Sequence, residues 1–344
     1  MIKVSIIGAT GYAGEDLLRL LLNHKDITLA VLTSESYAGQ EISQVYPHLK
    51  GHVDIVLDKM NVDAIIEKSD VIFVALPHGH AMNVVPALLA AGKKVVDFGA
   101  DYRLTDTAIF EEWYKHVHVS PETKAVYGLP ELNRAHIIGA RLVANPGCYT
   151  TATILAISPL LRAGLVDHRS IIVDAKSGIS GAGRGLGLGF HYPEATENVR
   201  AYNIGGHRHT PEIEQELSAA AGEPVTISFT PHLMPMSRGI LSTCYMQLND
   251  GVTMDEVTAA FNKAYADEFF VRLLGAGQYP ATKNVRGTNH CDIGWHIDPR
   301  TNRVIVVSAI DNLVKGAAGQ ALQNMNIICG LPETTGLKFP ALYP

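Results

Sequence analysis

The sequence predicts an α/β protein in two domains. The first is built on a parallel sheet wrapped by helices on both faces, and the second is an α+β domain whose sheet is mostly antiparallel. Three observations carry this expectation. At 344 residues, 47% of them hydrophobic and 18% charged, the chain is too long for one ordinary core and apolar enough to fill two. Its first part alternates short, continuously apolar, β-branched runs with helical stretches, the rhythm of a parallel sheet covered on both sides. Past Cys148 the strands lengthen and alternate apolar with polar residues, with few helices between them, as antiparallel strands with one packed face do.

A βαβ unit opens the chain: a strand at Val4 to Ile7, a helix from about Gly14 to Asn23 and a strand at Ile27 to Leu32. The rhythm continues with Val71 to Leu76, a helical stretch from Ala81 to Ala91 ended by Gly92, the strand Lys94 to Phe98 and a last strand at Leu142 to Ala144. The longer strands are Ser170 to Lys176, Val225 to Phe229, Ile240 to Leu248 and Arg303 to Ile310. A final helical run from Val314 to Ile328 carries Gly316 and Gly319, small residues that allow close packing, and is expected to return to the first domain. The expected division is residues 1–147 with 315–344 for the first domain and 148–314 for the second.

The formal charge is −6, with basic residues scattered, so no field draws in a nucleic acid or an anionic membrane surface. Met1 leads straight into a strand-like run, without a basic signal region, and no apolar stretch reaches membrane-spanning length. A cytoplasmic location is expected. The four cysteines, Cys148, Cys244, Cys291 and Cys329, lie far apart with no C-x-x-C pair, which argues against disulfides or structural zinc and for reduced thiols.

Gly8, Gly11 and Gly14, in G-A-T-G-Y-A-G, join the first strand to the first helix. Missing side chains there let Thr10, Gly11, Tyr12 and Ala13 bring backbone N–H groups and a positive helix end against a pyrophosphate. Read alone the string is also a plain strand-to-helix turn; its placement in a βαβ unit points to a dinucleotide. The second strand ends in Thr33 and Ser34 where an NAD-binding protein normally carries an acidic residue. Hydroxyls at that place can donate to a 2′-phosphate and favour NADP, or else cap a loop.

In Asn145-Pro146-Gly147-Cys148-Tyr149-Thr150-Thr151 a strand gives way to an apolar helix, so Cys148 stands at a helix N-terminus, where the dipole favours a thiolate. Local context leaves an inert buried cysteine as an equal reading. Cys244, Cys291 and Cys329 lie in or beside strand and helix patterns as small apolar fillers. In Gly206-His207-Arg208-His209-Thr210-Pro211-Glu212, Thr210 is expected as helix cap with Pro211 at the first helical position. His209 then precedes a positive helix end that keeps its imidazole neutral and basic, the partner a thiol enzyme needs. His207 and His209 lack the third and fourth ligands of a zinc site, and no metal is expected.

Ser177-Gly178-Ile179-Ser180-Gly181-Ala182-Gly183-Arg184 offers flexible N–H donors and a guanidinium suited to phosphate or carboxylate, or is a flexible surface loop. Arg103 is a second candidate anion contact, or a surface ion pair.

Taken together and in order, G-A-T-G-Y-A-G, N-P-G-C-Y-T-T, S-G-I-S-G-A-G-R, G-H-R-H-T-P-E-I and D-N-L-V-K-G-A-A-G-Q-A closely resemble the N-acetyl-gamma-glutamyl-phosphate reductases, from about Lys3 to Gly330. The resemblance implies Cys148 as nucleophile, His209 as acid/base residue and the Gly8 to Gly14 turn as the NADP pyrophosphate site. It places Asn312 and the Leu76-Pro77-His78-Gly79 loop near the nicotinamide, and Ser177 and Gly178 are further expected cofactor contacts. It further implies a Rossmann-like NADP-binding domain, a glyceraldehyde-phosphate dehydrogenase-like catalytic domain, a place in arginine biosynthesis and a homodimer or homotetramer. Arg103, Asn145, Ser180, Arg184 and His207 are the expected substrate contacts. The implied chemistry is reduction of an acyl phosphate to an aldehyde through a cysteine thioester. Alternatives are the carrier-protein-linked reductases of lysine biosynthesis, aspartate-semialdehyde dehydrogenase and, in a different class, a non-catalytic NADP-binding sensor.

Overall fold

The computed structural model describes residues 1–275 and 277–343; Pro344, the last position of the first expected domain, lies outside them. The chain divides into two compact units, one of Met1–Pro146 with Ala317–Lys338, the other of Gly147–Gly316 with the tail from Phe339. The sequence predicts 315–344 together in the first domain. The tail instead packs in the second unit, where Leu342 N donates to the Arg286 carbonyl at 3.0 Å and the Lys283 ammonium lies over the Tyr343 ring.

In the first unit the strands are β1 (Ile2–Ile7), β2 (Ile27–Thr33), β3 (Val71–Val74), β4 (Lys94–Asp97), β5 (Val126–Tyr127) and β6 (Leu142–Ala144). Among the described residues they form one sheet in the order β2-β1-β3-β4-β6-β5, parallel throughout. The helices are α1 (Tyr12–Leu21), α2 (Ile42–Val45), α3 (Val62–Lys68), α4 (Val85–Ala90), α5 (Thr107–Tyr114) and α6 (Pro130–Ile137). Every side chain of β3 is buried, as a strand covered on both faces requires, and each such Val, Ile or Phe contributes ~1.5–3 kcal/mol. One core joins Ile7, Ile72 and Val74 to Ile65, Leu88 and Phe110 from α3, α4 and α5.

In the second unit the helices are α7 (Cys148–Arg162), α8 (Tyr192–Ala195), α9 (Thr210–Ala221) and α10 (Met254–Tyr265). The strands are β7 (Ile172–Ser177), β8 (Arg200–Ala201), β9 (Ser228–Leu233), β10 (Ile240–Gln247), β11 (Val271–Leu273), β12 (Cys291–Asp298) and β13 (Arg303–Ile310), ordered β11-β12-β13-β10-β7-β9-β8. The pairs β12-β13, β13-β10, β10-β7 and β9-β8 are antiparallel, β7-β9 and β11-β12 parallel. Helix α7 is buried from Tyr149 to Leu161 and lies on β10 and β13, where Ser308 Oγ donates to the Ala152 carbonyl. Along β10, Ile240, Ser242, Cys244 and Met246 are buried while Leu241, Thr243, Tyr245 and Gln247 are half-buried on the opposite face.

Some expectations shift. Helix α1 starts at Tyr12 rather than Gly14, because Gly11 takes the extended cap conformation. The stretch expected as one helix from Ala81 to Ala91 is a 3-10 turn, Ala81–Asn83, followed by α4, with Pro86 in the first turn where its missing N–H costs nothing. The last helix is two pieces, a π turn at Val314–Ala318 and α11 (Gly319–Ile328), which packs on α1, α6 and β4.

Candidate functional site

The glycine turn of the first unit is packed against its own surroundings. Gly8 has φ +90°, and a Cβ on it would meet the Ala75 carbonyl oxygen at 2.4 Å; one on Gly14 would stand 2.5 Å from the Gly8 carbonyl oxygen. Thr33 Oγ1 accepts the Gly8 N–H at 3.1 Å, the Thr10 and Ser34 hydroxyls meet at 2.8 Å, and Tyr46 Oη donates to the Thr10 carbonyl at 2.9 Å. Thr33 and Ser34 are buried with their hydroxyls turned to the turn, so they brace the cradle. Tyr12 and Ala13 are half-buried at the start of α1. The sheet order reverses between β1 and β3, and the loops leaving these strands flank that point. In the second loop Pro77 is exposed, Gly79 N donates to Asp101 Oδ1 at 2.7 Å and His78 Nδ1 accepts from Ala100 N at 3.1 Å. These residues fit a dinucleotide: a backbone cradle closed to side chains, at a switch point and at a helix start.

Two expected substrate contacts of this unit are engaged within it. Arg103 is buried and donates through Nη2 to the Phe98 carbonyl at 2.7 Å. Asp97, also near this guanidinium, is pushed up to about 7, chiefly by burial and then by the neighbouring Asp101 charge. Asn145 donates through Nδ2 to the Ala317 carbonyl at 3.0 Å and accepts from Asn324 at 3.1 Å through Oδ1.

In the second unit Cys148 is the first residue of α7 and is partly exposed. The helix cap is Gly147, whose N–H donates to Glu212 Oε1 at 2.9 Å. Behind the cysteine stands Gly316, where a Cβ would meet the Cys148 Cβ at 2.7 Å. This approach explains the π turn: Gly316 N reaches back five residues to the Asp311 carbonyl at 3.0 Å, and the extra residue brings a glycine backbone against the sulfur-bearing residue.

Helix α9 is capped by His209, in helical conformation, with Thr210 and Pro211 as its first two residues; the expected cap at Thr210 is corrected by one position. The cause is the turn before it, where Thr210 N donates to the His207 carbonyl at 2.9 Å and His209 N to His207 Nδ1 at 3.1 Å. The His207 ring makes edge contacts with Tyr149, Tyr202, Phe229 and His209, and burial, then Arg208, lowers its pKa to about 4. Tyr149 contacts the His209 ring at 6.0 Å, donates to the His232 carbonyl at 3.2 Å and is held well above the ordinary phenol range by burial.

A second network sits at the end of β7. Asn312 Oδ1 accepts the Gly239 N–H at 2.7 Å, and its Nδ2 donates to Ser180 Oγ at 2.9 Å. Gly178 lies so close to Ser237 that a Cβ would meet that carbonyl oxygen at 2.7 Å. Ser177 Oγ donates to the Gly178 carbonyl at 3.0 Å within this network. Arg184 is exposed on the loop that follows. The structure brings the rings of His207 and His209 together against Tyr149, the residue after Cys148, and separately gathers Ser177, Gly178, Ser180 and Asn312. Glu212 and Gly316 stand against the turn that carries Cys148, contacts that the sequence does not show. Among the described residues no group of three or more His, Cys, Asp or Glu is placed to hold a metal ion.

Comparison with known proteins follows the same division. Residues 3–140 match the family model described as semialdehyde dehydrogenase, NAD binding domain, and residues 148–312 the one described as semialdehyde dehydrogenase, dimerisation domain. Relatives named N-acetyl-gamma-glutamyl-phosphate reductase from Pelotomaculum thermopropionicum and Desulforamulus reducens are 56% and 55% identical; the alignments cover 100% of this chain, and 99% and 100% of the relatives. The crystal structure of aspartate semialdehyde dehydrogenase II from Vibrio cholerae is similar in fold, with a TM-score of 0.72 at 17% identity over 95% of this chain and 98% of that one. Aspartate semialdehyde dehydrogenase with NADP from Candida albicans gives 0.70 at 17% identity, with coverage of 95% and 98%. Full-length identity above one half, on a fold whose glycine turn and helix-start cysteine stand as described, places the chain in the N-acetyl-gamma-glutamyl-phosphate reductase family.

Proposed function

We propose that the chain uses NADPH to reduce N-acetyl-glutamyl 5-phosphate to N-acetyl-glutamate 5-semialdehyde through a thioester on Cys148, in the cytoplasm, as a step of arginine biosynthesis. The observation that carries this reading is the placement of Cys148. It alone of the four cysteines begins a helix, where the dipole favours the thiolate. Cys244 and Cys291 are buried in strands, and burial pushes the Cys244 thiol up to about 12.

The Cys148 sulfur attacks the acyl carbon and phosphate leaves, giving the thioester. NADPH, when bound, would supply the hydride; Gly8, Thr10, Gly11, Tyr12, Ala13 and Gly14 would hold its pyrophosphate, with Thr33 and Ser34 bracing them, and Pro77, His78, Ser177, Gly178 and Asn312 would be its further contacts. N–H groups of the first turn of α7 hold the oxyanion, with Gly147's already given to Glu212. His209 donates a proton to that oxygen and takes it back as the thiohemiacetal releases the aldehyde and the thiolate. His207, neutral near pH 7, accepts from the His209 backbone and so has only Nε2 to offer the substrate. Ser180 and Arg184 are further substrate contacts, and so are Arg103 and Asn145, whose guanidinium and amide carry more N–H donors than the bonds to Phe98 and Ala317 use.

The dimerisation domain supports a homodimer or homotetramer, paired through the half-buried sheet face of Leu241, Tyr245, Ile305 and Val307. Phosphate-dependent reduction of NADP by N-acetyl-glutamate semialdehyde tests the function. Cys148→Ala is expected to lose at least about a thousandfold in rate while still binding NADPH. Activity of that variant within tenfold of the parent, or a stronger response to an aminoadipate-type aldehyde, contradicts the reading.

A further inference from the structure

We infer that Glu212 is a positioning residue for Cys148: a buried carboxylate that caps the nucleophile's helix from the helix that His209 begins. This deepens the proposed function and rests on it for the roles of Cys148 and His209. A helix start leaves several N–H groups without intrahelical partners, and a Ser, Thr, Asp or Asn at the cap normally supplies an acceptor. The cap of α7 is Gly147, which has no side chain to offer. An acceptor arrives instead from 65 residues along the chain, as Glu212 Oε1 takes the Gly147 N–H at 2.9 Å. The same oxygen stands 2.9 Å from the Thr150 hydroxyl, and Glu212 is 1% exposed.

Gly147 and Thr150 bracket Cys148: the Gly147 N–H is tied to this carboxylate, and the Thr150 hydroxyl, 2.6 Å from the Gly147 carbonyl, shares its one proton between that carbonyl and the same carboxylate. The backbone of Glu212 lies in the first turn of α9, three residues after the capping His209, whose carbonyl accepts from Ile213 N at 3.0 Å. One side chain thus fixes the separation between the two helix starts that carry the sulfur and the imidazole.

The charge has a second effect, with a definite sign. A carboxylate at a helix start offsets the positive end of the dipole and makes a thiol there harder to ionise than beside a neutral cap of the same shape. Glu212 trades some thiolate for fixed geometry, as a residue that orients and does not react would.

Two substitutions separate the hold from the charge. Glu212→Gln keeps an acceptor oxygen of the same reach and removes the charge; Glu212→Ala removes both. The first readout is the pH dependence of Cys148 alkylation by iodoacetamide, which needs neither substrate nor cofactor. The second is steady-state kinetics in the phosphate-dependent assay. Glu212→Ala is expected to lower kcat by about 10- to 100-fold with KM for the aldehyde changed less than about threefold. Glu212→Gln is expected to recover most of that loss and to move the alkylation midpoint down by a few tenths of a pH unit, roughly the size of a helix-end charge effect. Parent-like kcat in Glu212→Ala, or a midpoint in Glu212→Gln that stays or rises, overturns the inference. If Glu212→Ala does not fold, the midpoint in Glu212→Gln decides alone. Failure of the wider reading looks different: it is turnover by Cys148→Ala, which leaves the alkylation test of Glu212 in force.

Discussion

A sulfur at the first position of a helix is reactive only if its backbone stays where the dipole can act on it. Cys148 is held from the front by the Gly147 bond to Glu212 and from behind by the bare backbone of Gly316. The second support is sensitive to a single methyl group. Gly316→Ala puts a Cβ 2.7 Å from the Cys148 Cβ and 3.3 Å from Ile310 Cδ1, so either the cysteine or the π turn must move. The expected outcome is a kcat lower by about 10- to 100-fold with a stability loss of ~1–3 kcal/mol, read by kinetics and denaturant unfolding. A variant as active as the parent would show that the contact is not constraining.

Among elements, the turn between β1 and α1 makes the most direct claim about cofactor binding. Gly14→Ala would set a Cβ 2.5 Å from the Gly8 carbonyl oxygen, and that backbone atom cannot turn aside as a side chain does. NADPH affinity is expected to fall at least about tenfold, measured by nicotinamide fluorescence, with the α/β fold retained by circular dichroism. Unchanged affinity would remove the turn from the cofactor site. The turn was legible in the sequence because its three glycines lie within seven residues between a strand and a helix, whereas its packing on Ala75, Thr33 and Tyr46 was not. So were β6 and β13, whose limits match the apolar run at Leu142–Ala144 and the alternation at Arg303–Ile310.

Other elements were not legible, for physical reasons that differ. Helix α10 went unread although Thr253 and Glu256 form a reciprocal capping box, because its apolar face is only Val257, Phe261 and Tyr265. The strand read at Val225 to Phe229 forms at Ser228–Leu233, where pairing with Ile172–Ser177 decides the register. The π turn at Val314–Ala318 looks helical by composition and is set by the approach of Gly316 to a residue far back in the chain. Glu212 was visible as a first-turn acid, but its partners lie 62 and 65 residues earlier, a tertiary fact with no local signature.

At the scale of the whole molecule, burial shifts histidines and carboxylates in opposite senses. In the second unit, burial holds His207 and His290 down to about 4, below the ordinary 6.5. An unfolded chain binds those protons first, so their contribution is present above pH 6.5 and is lost as pH falls through about 4. In the first unit Asp97 is raised from 3.8 to about 7, so its contribution is full below pH 3.8 and is lost as pH rises through about 7. Denaturant titrations between pH 4.5 and pH 8 are expected to show a flatter acid limb in His207→Gln and a flatter neutral limb in Asp97→Asn. Unaltered slopes in both would mean that these groups are not buried as described. The sequence showed two units and their sheets, because periodicity reports which faces are covered. It did not show that the tail from Phe339 packs in the second unit, since that depends on what Leu342 and Tyr343 touch.

The most direct test is to catch the covalent step. The protein is mixed with N-acetyl-glutamate semialdehyde and NADP in phosphate-free buffer, quenched in acid and digested, and the peptides are weighed. The expected result is one peptide, the one containing Cys148, heavier by the N-acetyl-glutamyl group, with the adduct released by phosphate and absent from Cys148→Ala. NADP reduction without any adduct on Cys148, or with the acyl group on another residue, would contradict a thioester at the start of α7.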